Sequence, residues 1–354
     1  MQFQNVLGQE ALINHFRSAI RLNKVSHAYI INGEAGLGKM KLAEAFAQAL
    51  LCEKLQAEHD DNQIAFPGLE PVAPRLPEVI EPCEECISCK KASHHNHPDI
   101  IYISHEKTDI IKVDEIREQF VNTVDIKPYE SKRKIYIIDD AELINEQGQN
   151  ILLKTIEEPP QYVNIIMLTT NKDKLLPTVL SRCVVLNMTA VSDAKIKTYL
   201  MSKGVVEYQA DMAINFASGN PGKALLIARD TEFQERIDTV TGIMKKFTDY
   251  HSKQMADIGY NLSEDEGNIG IYLDMITSFL RDVIVYKTTL DESRVHFASE
   301  MVTIRELSNM PGSAINRIIN VVYEAKEKIR SKVTADLTIE MMLHRMQDIA
   351  KEYI

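Results

Sequence analysis

Short apolar runs, each closed by polar or glycine residues, punctuate the first half of the chain. Ala28 to Ile31 leads into a glycine-rich run. Ile100 to Ile103, Lys134 to Asp140 (KIYIIDD), Asn164 to Thr170 (NIIMLTT) and Val184 to Met188 follow. Runs of this length bounded by turn residues predict buried strands. Between them, apolar positions recur at helical spacing. Leu12, Ile13, Phe16, Ala19 and Ile20 do so within residues 1–26, and Val113 to Val124 has the same period. Gln147 to Glu158 reads as a helix stopped by Pro159 and Pro160. Strands alternating with helices predict an α/β core, a five-stranded and mainly parallel sheet with helices on both faces. Ligands of such sheets sit at the carboxyl ends of the strands, where the glycine run, Asp139 and Thr170 should meet.

After Thr189 the strand signals fade. Residues 190–231 read as a small helical lid containing the turn Gly219 to Lys223 (GNPGK), and residues 232–354 as helices throughout. One amphipathic face is marked by Ile315, Ile318, Ile319 and Val322, another by the run from Leu337 to Met346. The expected domains are therefore 1–189, 190–231 and 232–354. Residues 53–82 are polar and proline-rich (Pro67, Pro71, Pro74, Pro77, Pro82) and read as an irregular excursion from the core.

Composition narrows the function classes. The start has no basic segment followed by an apolar core, and no apolar run approaches a membrane span, so a cytoplasmic protein is expected. The formal charge of −11 argues against a chain that grips nucleic acid by its own backbone-neutralising charge. Contacts with other proteins are expected first. Five cysteines, four of them in one region, argue for a metal rather than a disulfide framework.

Three sets of residues carry candidate chemistry. Gly33 to Met40 reads GEAGLGKM between a strand and a helix, the layout that cradles a triphosphate. Gly33, Gly36 and Gly38 permit the tight turn, and Lys39 adds charge for the outer phosphates. The next position should supply a hydroxyl to Mg²⁺, but it is Met40, whose thioether is a poor ligand for a hard cation. Asp139 can hold the metal through water. Asp140 stands where a Glu is generally wanted, one methylene short. Hydrolysis of ATP is expected to be impaired more surely than its binding. Second, Cys83, Cys86 and Cys89 at x2 spacing, with Cys52 earlier, can give four thiolates to a closed, structural Zn²⁺ site; His94, His95 and His97 are nearby alternatives. Third, Arg182 in Ser181-Arg182-Cys183 is either a surface ion-pairing residue or a guanidinium offered to a neighbour's γ-phosphate. Lys223 could reach a nucleotide or be a solvated lysine at a helix start.

Taken together the residues resemble the AAA+ clamp-loader subunits of bacterial DNA polymerase III. The likeness rests on Val6-Leu7-Gly8-Gln9, His27, GEAGLGK, the cysteine cluster followed by His97-Pro98-Asp99, Leu152 to Pro160 (LLKTIEEPP) and Ser181-Arg182-Cys183. The resemblance implies that Val6 to Gln9 border an adenine pocket, and that Gly33, Gly36, Gly38 and Lys39 form a phosphate loop. It makes Asp139 the metal-side carboxylate and matches Thr170 and Asn171 to the sensor on the fourth strand. Arg182 would complete the ATP site of an adjacent gamma subunit. Cys52, Cys83, Cys86 and Cys89 would bind zinc, and the last helices would join a collar of five subunits. Active members carry Thr or Ser after the loop lysine, Glu after the strand aspartate and Arg at the second sensor; this chain has Met40, Asp140 and Lys223. That is the delta-prime type. Such a subunit is not catalytic by itself but belongs to the DNA-directed DNA polymerase holoenzyme. Its partners would be gamma/tau and delta subunits, the sliding clamp and primed DNA. The competing reading is an ATP-hydrolysing gamma/tau-like motor. A zinc module that reads DNA directly fits poorly with the net acidity and with the lack of interleaved aromatic and basic residues.

Overall fold

The computed structural model describes residues 2–56, 80–103, 111–265 and 267–353. Most of the proline-rich excursion, including Pro67, Pro71, Pro74 and Pro77, lies outside the described residues. Five strands form one parallel sheet: β1 (Ala28–Asn32), β2 (Ile100–Ile103), β3 (Lys134–Ile138), β4 (Val163–Thr169) and β5 (Val184–Asn187), in the spatial order β2-β3-β4-β1-β5. Helix α1 (Glu10–Arg21) precedes the sheet, and the helices between its strands are α2 (Lys39–Leu51), α3 (Ile87–Ser93), α4 (113–124), α5 (Glu146–Glu157) and α6 (Pro177–Leu180).

The sheet is buried on both faces, which is why its strands read as near-continuous apolar runs. Alternate residues feed two cores. Tyr29, Ile31, Ile137, Ile166 and Leu168 pack with Phe16 and Phe46 on one side. Ala28, Ile30, Tyr136, Ile138, Ile165 and Met167 pack with Phe120, Leu152 and Ile156 on the other. The stacked rings of Phe16 and Phe46, 4.0 Å between centroids, weld α1 to α2 over β1. Helix α4 is less regular than its periodicity predicts, because Arg117–Val121 forms a π-helical turn in its middle. The run predicted to reach Thr170 ends as a strand at Thr169, so Thr170 begins the connection that follows.

By contact the chain divides into two compact units: residues 1–204 with 219–223, and residues 205–218 with 224–354. The segment expected as a lid is thus shared between them, α7 (Asp193–Ser202) lying in the first and α8 (Glu207–Ala217) in the second. Helix α9 (Pro221–Arg229) starts in the first unit. The second unit is helical, as its pattern predicts: α10 (Phe233–Lys246), α11 (Ser252–Glu264), α12 (Ile269–Thr289), α13 (Met301–Leu307), α14 (Gly312–Arg330) and α15 (Ala335–Lys351), with short 3₁₀ turns between α12 and α13. Ile315, Ile318 and Val322 of α14 are buried as expected, whereas Leu337 of α15 is exposed. Among the described residues no helix is long and apolar enough to cross a membrane.

One buried carboxylate fastens the start of the sheet. Asp99, immediately before β2, is fully buried. It accepts the backbone amides of Tyr129 (2.5 Å), Glu130 (2.9 Å) and Ser131 (2.8 Å), closing the turn that leads into β3. Asp99→Ala would leave three amides without that acceptor. The expected loss is about 3 kcal/mol, read as a fall in the urea midpoint of the transition reported by the sheet. A loss below about 1 kcal/mol would mean that the turn is held by its other contacts.

Candidate functional site

The glycine run connects the carboxyl end of β1 to α2. The Gly33 amide donates to the Thr169 carbonyl at 3.0 Å, which hangs the loop from the end of β4. Gly36 and Gly38 adopt φ of +92° and +98°, a region that L side chains rarely enter, so the turn depends on them. Gly38 is the N-cap of α2 and offers no side-chain acceptor, so the first amides of the helix face the loop without a cap. That is the physical basis of an anion cradle. Lys39 is 8% exposed. Its ammonium donates to the carbonyls of Gly33 (2.8 Å) and Glu34 (3.3 Å). Burial lowers its pKa, opposed by the carboxylates of Asp139, Glu142, Asp140 and Glu34. Met40 is half-buried, and its thioether packs on the core cluster beneath the loop.

Asp139 and Asp140 follow β3 on the same edge. Burial raises the Asp139 pKa, with the neighbouring Asp140 charge adding to it. Asp140 takes φ of +47°, a conformation that Asp tolerates better than most residues, and its amide donates to Asp139 Oδ1 at 3.0 Å. The sequence reading missed a third carboxylate. Glu142 accepts the Thr170 amide at 2.9 Å and also the Thr170 hydroxyl. Burial opposes its ionisation, but bonds from Thr170 and Thr169 outweigh burial and lower its pKa. Its other oxygen, Oε2, is buried without a hydrogen-bond partner among the described residues. Thr170 therefore comes to the predicted edge, but its hydroxyl is engaged by Glu142. The available signal was three acidic residues in four positions after a strand.

The structure also shows what Val6 to Gln9 do. Gly8 has φ of +71°, and an added Cβ there would stand 2.8 Å from Val191. The buried Gln9 side chain donates to the Thr189 carbonyl (2.7 Å) and accepts its amide (3.1 Å). Asn220 and Gly222, in the turn where only Lys223 drew attention, rest on the glycine loop.

The four cysteines converge. The sulfurs of Cys52, Cys83, Cys86 and Cys89 lie within 4.8 Å of one another, and none forms a disulfide. A tetrahedral Zn²⁺ with bonds of ~2.3 Å needs sulfurs roughly 3.8 Å apart; Cys83 Sγ and Cys89 Sγ are separated by 3.9 Å. The amides of Cys86 and Cys89 donate to the sulfurs of Cys83 and Cys86, each at 3.4 Å. A hydrogen bond from Cys89 lowers the Cys52 pKa, and the same bond raises that of Cys89. The donor set fits a closed site for a thiophilic metal. The histidines named as alternatives are used elsewhere. His94 Nδ1 lies 2.7 Å from the Lys90 carbonyl, His95 faces Glu44, and the buried His97 lies 3.0 Å from Ser88 Oγ while accepting the Asp99 amide at 3.1 Å.

Arg182 is not part of this edge cluster. It follows α6 with its side chain partly exposed; Nε pairs with Glu157 Oε1 at 2.9 Å, and the guanidinium also reaches the Thr178 carbonyl at 3.1 Å. An exposed pair of this kind contributes at most about 1 kcal/mol.

A family model described as "DNA polymerase III, delta subunit" matches residues 8–66 and 72–192. The chain belongs to this family. Within the polymerase III proteins it is 26% identical over 341 residues to subunit delta' of Bacillus subtilis, covering 94% of each chain. It is 29% identical over 354 residues to subunit tau of the same organism, covering 93% of this chain and 58% of that one. It is 32% identical over 198 residues to subunit tau/gamma of Haemophilus influenzae, covering 56% of this chain and 25% of that one. The chain thus spans only part of its tau and tau/gamma relatives but nearly all of the delta' relative. A gamma subunit-related protein of Thermotoga maritima aligns over 94% of this chain and 98% of its own with a TM-score of 0.44 and 14% identity, a likeness too loose to carry a conclusion.

Glu142 gives this edge a predictable acid sensitivity. Its folded-state pKa lies below its ordinary value of 4.5, so its stabilising effect is present above that value and is lost as pH falls through the folded pKa. Glu142→Gln should therefore flatten the acid limb of the stability profile below the ordinary value of 4.5. Denaturation curves of the two proteins that stay parallel through that window would show that Glu142 does not titrate with unfolding.

Proposed function

We propose that this chain is a delta-prime-type subunit of the bacterial DNA polymerase III clamp loader. In this reading it hydrolyses ATP weakly or not at all, and acts as a scaffold beside subunits that do. The observation that carries the reading is Met40. It follows the loop lysine, where Mg²⁺ needs an oxygen, and its side chain packs on the core instead. The residues present therefore suit an anion better than a magnesium-bound triphosphate. The shortened Asp140 carboxylate and the engagement of Thr170 by Glu142 weaken the site further. Gly33, Gly36, Gly38, Lys39, Asp139 and Thr170 make up this degenerate nucleotide site.

Arg182 is the residue this subunit supplies to others, stabilising charge on the phosphates of a neighbouring gamma subunit's ATP. Its exposure and its weak pairing with Glu157 support that role, because little is lost when the guanidinium changes partner. The partners in this reading are gamma/tau and delta subunits, with the sliding clamp and primed DNA reached through the assembly. Residues 232–354 would supply the collar contacts. Cys52, Cys83, Cys86 and Cys89 would hold one structural Zn²⁺ with no position left open for a substrate. The rival reading, an ATP-driven gamma/tau-like motor, is favoured by the 29% and 32% identities to tau and tau/gamma, and disfavoured by Met40 and Asp140.

The decisive measurement is ATP turnover, first by the chain alone and then in a reconstituted loader. Little or no turnover is expected from the chain alone. Arg182→Ala should leave the chain folded yet slow the assembly's turnover at the adjacent site by ~10³-fold. Brisk Mg²⁺-dependent turnover by the isolated chain would overturn the scaffold reading, and an unchanged rate in the Arg182→Ala assembly would remove the finger. Metal analysis of the reduced protein should give about one zinc per chain. Removing that zinc should destabilise the fold around α3 without altering any turnover by the chain itself.

A further inference from the structure

The turn at 219–222 touches the phosphate loop through one side-chain and one backbone donor, each reaching a loop carbonyl. Asn220 is 2% exposed, and its Nδ2 donates to the Ala35 carbonyl at 2.7 Å. Its Oδ1 accepts the Lys223 amide at 3.1 Å, capping the first turn of α9. The Gly222 amide donates to the Gly36 carbonyl at 3.1 Å. The fit leaves no room. A Cβ on Gly222 would stand 2.6 Å from the Gly36 oxygen, and a Cβ on Gly36 would stand 2.6 Å from Asn220 Oδ1. This contact requires both glycines, and Gly36 is required by the loop's own turn as well.

We infer that Asn220 is a positioning residue for the phosphate loop, and that the 219–222 turn is a clasp setting the loop's shape before any ligand arrives. The reason is the geometry of the trans peptide. Its carbonyl and the following N–H point in opposite directions. With the Ala35 carbonyl drawn to Asn220, the Gly36 amide is turned away from the clasp. The Gly36 carbonyl is drawn to Gly222, and the Leu37 amide closes a turn on Glu34 at 3.3 Å. The clasp takes two loop acceptors, the Ala35 and Gly36 carbonyls, and turns the Gly36 amide outward, the direction from which a backbone nest receives an anion. A loop built on glycines with positive φ would otherwise lose much conformational freedom on ordering. The clasp supplies that order from within the chain, so a subunit with an impaired metal site can still keep a well-formed loop.

The inference rests on reading Gly33 to Met40 as a nucleotide-type loop, and its test separates the two. Three full-length variants are compared with the parent. Asn220→Ala removes both side-chain bonds. Asn220→Asp keeps the acceptor for the Lys223 amide but replaces the donor to Ala35 with an oxygen. Gly222→Ala strains the other half of the clasp. Amide hydrogen exchange of the peptide covering 33–40 is the first readout. All three variants should exchange there about tenfold faster, with the interiors of β4 and α5 unchanged. Binding of inorganic pyrophosphate by calorimetry is the second, and should weaken about tenfold in the same variants if the parent binds it. If the parent binds no pyrophosphate, the nucleotide-type reading is at fault, and the exchange data alone decide the clasp. Exchange at 33–40 that is unchanged in Asn220→Ala would overturn the inference. So would parent-like exchange in Asn220→Asp, because the cap on α9 and not the bond to Ala35 would then be what matters.

Discussion

Strand β1 is hydrogen-bonded on both sides, Ala28–Asn32 lying opposite Ile165–Thr169 of β4 and its last four residues opposite Val184–Asn187 of β5. A strand held in this way has no freedom to slide, because a one-residue slip would exchange the two buried faces. The end of β1 is therefore a fixed point, and the glycine loop leaves from it. The Gly33 amide continues the ladder onto Thr169, so the first turn of the loop inherits the register of the sheet. Asp139 and Thr170 reach the same edge because β3 and β4 are parallel neighbours, β4 running two residues past the pairing of Ile138 with Met167. Without that ladder the loop would be only a flexible glycine run.

The electrostatics of the edge are lopsided. Lys39 sits among the carboxylates of Asp139, Asp140, Glu142 and Glu34, all close enough to act on its ammonium. Such a grouping holds the lysine charged against burial, and it repels additional negative charge. In the proposed reading the backbone amides of the loop would attract phosphates while the side chains around them would discourage them. A divalent cation would ordinarily reconcile the two, and Met40 withholds one of its oxygen ligands. Glu142 sharpens the imbalance by occupying Thr170, whose hydroxyl would otherwise be a neutral donor.

Much of this was legible in the sequence, and for physical reasons. Buried parallel strands must be nearly all apolar, so the five runs stood out and each became a strand. The glycine loop was legible because positive φ is restrictive, and the cysteines because their spacing follows from metal geometry. What escaped detection were contacts between positions far apart in the chain. Glu142 meets Thr170 across 28 residues and Asn220 meets Ala35 across 185, and neither carries a local pattern. Asp99 looked like part of a motif, and its task of fixing the turn at 129–131 emerged only from the fold. The π-helical turn at Arg117–Val121 keeps an apolar stripe close to the helical one, so periodicity could not distinguish it. The lid expected at 190–231 was drawn as one piece because helices look alike in sequence, whereas contacts divide it.

Helix α2 begins at Lys39 and ends at Leu51, with Cys52 next. It is one continuous helix about 20 Å long, clamped along its length by Phe46 against Phe16 and by Gln48, whose amide holds the Cys89 carbonyl at 3.0 Å. Its two tips have opposite chemical temperaments, uncapped backbone amides at the head and a soft, oxidisable sulfur at the tail. A deletion within the rod would swing Cys52 about 100° around the axis per residue, dragging it off its three companions, so the length of the helix ties the place of the cysteine cluster to that of the glycine loop.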